Sequence, residues 1–128
     1  MRRVSRDSAQ VEAVGPVVDR HADLDGGYTA NFITFTVDLD ATEMMKGLKD
    51  DRCQCPHWGY VFTGQLTFRS DEGEETFGPG DAFYLPAGHI PIVAAGTEYL
   101  QFSPSEELHE VSAHLVAKAR QMQAAPSA

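Results

Sequence analysis

Between Trp58 and Phe102 the chain reads "WGYVFT", "QLTFR", "EETF", "DAFYL", "IPIVA" and "EYLQF", short β-branched and aromatic runs separated by Gly, Pro, Asp and Glu. No strand this short buries its apolar face alone. A series recurring about every ten residues therefore has to close into a β-sandwich or a small barrel. "TANFITFTVDL" reads as a further strand, and "AQVEAVGPVVD" as a short one broken at Gly15-Pro16. "HADLDGG" reads as a polar loop that leaves His21 solvated, and "DATEMMKGLKDD" as irregular chain with one helical turn. Gly64-Gln65 and "SDEGEE", with Gly73 at its tip, read as hairpin turns. The tail changes period. Ser103, Pro104 and Glu106 form an N-cap, N1 proline and capping acid, and Leu108, Val111, Leu115 and Met122 follow at helical spacing. The expectation is one domain over 1–128, with a barrel over about 10–103 and a C-terminal helix over about 104–123.

Charge and hydropathy narrow the function. A formal net charge of -9 gives no general attraction to nucleic acid or anionic lipid. No apolar run approaches a membrane span, and no apolar h-region follows the basic "MRRVSR". A cytoplasmic protein with reduced thiols is expected. A Cys53–Cys55 disulfide is not, because the geometry is unfavourable.

The chemistry concentrates in "DRCQCPHWGYVFTG", where Cys53, Cys55 and His57 alternate just before a strand. Residues two apart on a strand share a face and lie roughly 6.6 Å apart, so neighbouring pairs can share an ion. Residues four apart span roughly 13 Å, so all three meet only if the chain bends, and Pro56 is the place for a bend. Buried, inert thiols beside an isolated imidazole are the competing reading.

The stretch from about Asp51 to Pro104 resembles the cupin family. "GDAFYLPAG" matches the front of that family's second motif, with Gly80, Pro86 and Gly88 in register, and Gly64 serves as the closing glycine of the first. The resemblance implies an all-β fold, a double-stranded β-helix or jelly-roll barrel, here with a C-terminal helix. It also implies a divalent metal held by histidines and a glutamate. In this chain His57 stands where the family has Glu. Cys53 and Asp51 fall on the two His positions with one spacer, and Arg52 and Asp50 with the other. Pro91 occupies the second-motif His position, His89 lies two residues earlier, and Ala95 replaces the final Asn. No ligand of the family keeps its identity.

The ligand candidates are therefore Cys53, Cys55, His57 and His89, a set that favours Zn²⁺, with iron or copper as alternatives. If His57 points inward, Gly59 and Val61 do too and leave room beside it. Trp58, Tyr60 and Phe62 then face outward and call for a cover, which points to a homodimer. Tyr60, Tyr84 and Tyr99 are candidates to meet a substrate if their register turns them in. The leading expectation is a metal-containing cupin that binds or transforms a small organic molecule. The alternatives are a metal-free ligand-binding or dimeric accessory protein, and a thiol sensor using Cys53 and Cys55. "HEVSAH" is not a zinc-protease motif, because His109 and His114 are five apart, one too many for a single helix face.

Overall fold

The computed structural model describes residues 1–124. Ten strands and two α-helices follow in order: β1 (Gln10–Val14), β2 (Val17–Leu24), β3 (Tyr28–Phe35), β4 (Leu39–Asp40), α1 (Thr42–Met45), β5 (His57–Thr63), β6 (Leu66–Ser70), β7 (Gly73–Phe77), β8 (Ala82–Leu85), β9 (Ile90–Val93), β10 (Glu98–Pro104) and α2 (Ser105–Ala124). They form a six-stranded sheet, β1-β2-β3-β10-β5-β8, and a four-stranded sheet, β4-β9-β6-β7. Every named pairing is antiparallel. The expected all-β jelly roll with a C-terminal helix is thus what forms.

Side-chain alternation decides what each sheet buries. The inner faces supply Ile33, Phe35, Val61, Leu66, Phe68, Phe83, Leu85, Val93 and Tyr99, which pack as one core. A second cluster joins Ala41, Met45, Cys53, Cys55 and Ile90 to Leu108 and Val111 of α2, with Leu48 and Leu115 against it. The helix thereby packs its apolar stripe against the barrel. Met122, expected on that stripe, is exposed. Among the described residues no helix is long and apolar enough to cross a membrane.

Several local expectations change. Gly15-Pro16 joins two strands rather than interrupting one, and β2 runs on through "HAD" to Leu24. His21 therefore lies in a strand, half-buried and opposite Asn31, because pairing with β3 outweighs the polar composition. Gly64 is not the turn of a hairpin: β5 pairs with β10 and β8, and β6 pairs with β7 and β9, so the chain changes sheets there. A Cβ on Gly64 would lie 2.4 Å from the Thr97 Cα, and its φ is +85°. Both conditions demand glycine. Helix α2 starts at Ser105, after Pro104 has closed β10 in register with Tyr28. Ser103 is consequently a strand residue with another role.

Candidate metal centre

His57 opens β5 with its ring on the inner face, so Trp58, Tyr60 and Phe62 project outward, as the alternation predicts. Cys53 is not on that strand. It forms an isolated bridge with His89, in which its N–H donates to the His89 carbonyl at 2.9 Å and its carbonyl accepts from the Gly88 N–H at 2.7 Å. These bonds set Cys53 beside His89. Residues 54–56 then carry the chain irregularly to His57, which is the bend a shared site requires.

One ligand atom each from Cys53, His57 and His89 lies within 4.8 Å of the others, and all three residues are buried. Cys53 Sγ and His57 Nε2 are 3.7 Å apart, and the two imidazole centroids 5.0 Å. Zinc bonds near 2.3 Å to sulfur and 2.0–2.1 Å to nitrogen, at tetrahedral angles, put S and N about 3.5 Å apart.

The second nitrogen of each ring is already engaged. His89 Nδ1–H donates to the Pro86 carbonyl at 2.8 Å, which leaves Nε2 with its lone pair. His57 Nδ1 and Ser103 Oγ are 2.6 Å apart, and donation from Nδ1 likewise leaves Nε2 free on the Cys53 side. A ring whose far N–H is held by protein is the usual arrangement of a ligating histidine. The donor set fits a divalent metal.

Electrostatics point the same way. Burial, with His89 second, drives the His57 imidazole down to about 3, and burial lowers His89 as well. Both rings are neutral near pH 7, the form that ligates. Burial pushes the Cys53 thiol up to about 11 and Cys55 up to about 12. Without a cation nearby both are protonated thiols near pH 7 and poor nucleophiles, which weighs against a thiol sensor. Both cysteines are free.

Cys53, His57 and His89 line a cavity of about 150 Å³ together with Phe68, Tyr99, Gln101 and residues of β1, β2, β3 and both helices. Other expected site residues are placed elsewhere. Cys55 is fully buried but lies outside the ligand group, its Sγ 3.5 Å from the Pro56 carbonyl. Tyr60 and Tyr84, 42% and 54% exposed, sit on the outer face because both follow the parity of Trp58. Tyr99 alone of the three lines the cavity, and burial keeps its hydroxyl protonated well above the ordinary range. The room expected beside Gly59 is filled: a Cβ there would lie 2.3 Å from the Phe83 ring. His109 is exposed near Asp23, and His114 Nε2–H donates to the Met44 carbonyl, so neither joins the site.

Three further groups carry no sequence signal. Asp19, Asn31 and Gln101 lie on the inner faces of β2, β3 and β10, with Asn31 opposite Gln101, and all three line the cavity. Asn31 Nδ2 donates to both Asp19 carboxylate oxygens, at 3.0 and 3.2 Å. Burial raises the Asp19 carboxyl despite that bond.

No protein-family model and no curated protein sequence matches the chain. Solved structures do. A protein of unknown function from Rhizobium leguminosarum bv. viciae superposes with a TM-score of 0.62 at 22% identity, over 80% of this chain and 95% of that one. An RmlC-like cupin from Shewanella frigidimarina gives 0.59 at 16% identity, over 83% and 93%. The chain has the cupin fold. The polyketide cyclase RemF from Streptomyces resistomycificus gives 0.58 at 20% identity, over 82% and 80%. At these identities the likeness carries the barrel and nothing of the chemistry. In this cupin barrel the first-motif segment supplies Cys53 and His57, and the second supplies His89.

Proposed function

We propose that this cupin-fold protein holds one divalent metal, zinc in preference to iron or copper, on Cys53, His57 and His89. It binds or transforms a small organic molecule in the adjoining cavity. The observation that carries the reading is the convergence of one thiol and two neutral imidazoles on the cavity wall. When bound, the metal supplies a Lewis acid for an oxygen of the guest molecule. The chain's own groups do the rest. The Pro86 carbonyl holds the His89 ring in its ligating tautomer, Ser103 can accept from His57 Nδ1–H and so leave Nε2 for the metal, and Tyr99, on the cavity wall, keeps its hydroxyl protonated.

Metal content of protein purified without an affinity tag tests this. About one equivalent is expected, and Cys53→Ala should lose it while Cys55→Ala keeps it. Less than a tenth of an equivalent, after growth with zinc and iron supplied, would sink the metal reading. The second reading is a metal-free ligand-binding or accessory protein. It is favoured by the apolar packing of Cys53 among Met45, Ile90 and Leu108. In either reading a second copy covers the outward aromatic face of β5.

A further inference from the structure

Besides the thiol and imidazoles the cavity is lined by Asp19, Asn31 and Gln101, and their chemistry restricts the guest. Asn31 is 3% exposed, and its Oδ1 is a buried acceptor with no hydrogen-bond partner. An acceptor in that state costs free energy until a donor reaches it. Its Nδ2 is already given to Asp19, so the amide is held with Oδ1 as the free end. Both Asp19 carboxyl oxygens beside it accept from the Asn31 amide. Glu12 is the other charged side chain on the lining. Among the described residues no Lys or Arg lines the cavity, so no guanidinium or ammonium is present to take a carboxylate or phosphate. The body of the space is apolar, with Ile33, Phe35, Leu108 and Val111 on its walls. Apolar walls penalise any ion brought in without a partner. A space of this volume accepts a guest about the size of benzene.

We propose that Asn31 and Asp19 form a recognition site for the hydroxyl group of a neutral, ring-sized organic molecule, and that the metal-free cavity rejects anions of the same size. The inference rests on the cavity half of the function proposed above and not on the metal. The hydroxyl donates to Asn31 Oδ1 and completes that amide's hydrogen bonding. Asp19 acts as a positioning residue by holding Asn31 Nδ2, which leaves Oδ1 as the unpartnered end of the amide.

The test titrates phenol, toluene and benzoate into the full chain, both zinc-loaded and chelator-treated. Dissociation constants are read by ligand-observed NMR. Phenol and toluene have nearly the same shape and differ in the donor; benzoate adds an anion. Phenol should bind at least about tenfold tighter than toluene in both preparations, the difference one satisfied hydrogen bond makes. Benzoate should not bind the chelator-treated protein over the same range, where no metal is present to take its carboxylate. Asn31→Leu should abolish the preference for phenol and leave toluene unchanged or tighter. Asp19→Asn keeps the size and an acceptor for the Asn31 amide, and should narrow the preference at least about threefold, so the test survives if Asn31→Leu does not fold. Toluene equal to phenol, benzoate as tight as phenol in the chelator-treated protein, no phenol binding, or a preference that outlasts both substitutions each overturns the proposal. Metal retained without the donor preference strikes this inference alone. The preference kept in a protein that holds no metal strikes the metal proposal alone.

Discussion

At the residue scale the site depends on groups that never touch the cavity's guest. Ser103 Oγ lies 2.6 Å from His57 Nδ1, and when it accepts from Nδ1–H it leaves Nε2 with the lone pair. Partners of this kind are typically worth ten- to a hundredfold in metal affinity. Ser103→Ala should therefore weaken zinc binding by about tenfold in a competition titration while leaving the fold intact; an unchanged affinity would remove Ser103 from the centre. The neutral rings make a second prediction. His57 and His89 both have folded-state values below the ordinary histidine value of 6.5. The unfolded chain then binds more protons than the folded one as pH falls below 6.5, so stability declines from there toward about pH 3, the folded value of His57. Urea midpoints of chelator-treated protein should drop between pH 7 and pH 4.5, and His57→Gln should flatten that slope. A midpoint independent of pH in this window would contradict the burial of two neutral imidazoles.

At the element scale, the turns between strands hold the two sheets in place. Gly64 and Gly26 have nearly the same φ, +85° and +87°, yet only Gly64 has a neighbour where a Cβ would stand. Gly26→Ala should cost the backbone term alone, about 1–2 kcal/mol. Gly64→Ala adds a clash with the Thr97 backbone and should cost about 2–4 kcal/mol in denaturant unfolding. Equal losses would mean that the close approach at Thr97 relaxes freely. The strands themselves were legible in the sequence from their β-branched runs and turn residues. Their parity was legible only as an alternation; the structure turns His57 inward and so sets Trp58, Tyr60 and Phe62 outward. The start of α2 was not. Ser103-Pro104 has the composition of a helix N-terminus, but pairing of β10 with β3 continues to Pro104 and takes both residues into the sheet. The hydroxyl expected to cap a helix is spent on His57 instead.

At the scale of the whole molecule the outer face of the six-stranded sheet is the conspicuous surface. Tyr28, Trp58, Tyr60, Tyr84 and Phe102 are exposed on it, with Trp58 in contact geometry with Tyr28 and Tyr84 at centroid distances of 6.3 and 5.1 Å. Contiguous aromatic surface of this kind is rare on monomers. A second copy meeting it about a two-fold axis would bury the same rings from both sides. Light scattering should give twice the 14.0 kDa of one chain, and Trp58→Lys should shift it toward one. A wild-type chain that stays monomeric at micromolar concentration would leave the face to another partner.

What the sequence alone determined is the all-β barrel with its C-terminal helix, from the recurrence of short strand runs, the turn residues and the glycine and proline skeleton. These follow from local sterics and a period of two. It also marked Cys53, His57 and His89, but not their meeting, and it carried Cys55 along with them. Only the tertiary structure separates these residues, because membership in the group depends on the backbone bridge between Cys53 and His89 and on the bend through residues 54–56. Asp19, Asn31 and Gln101 are invisible in the sequence for a related reason. Each is an ordinary polar residue on its own strand, and they become one wall only when β2, β3 and β10 pair in register and close the cavity around them.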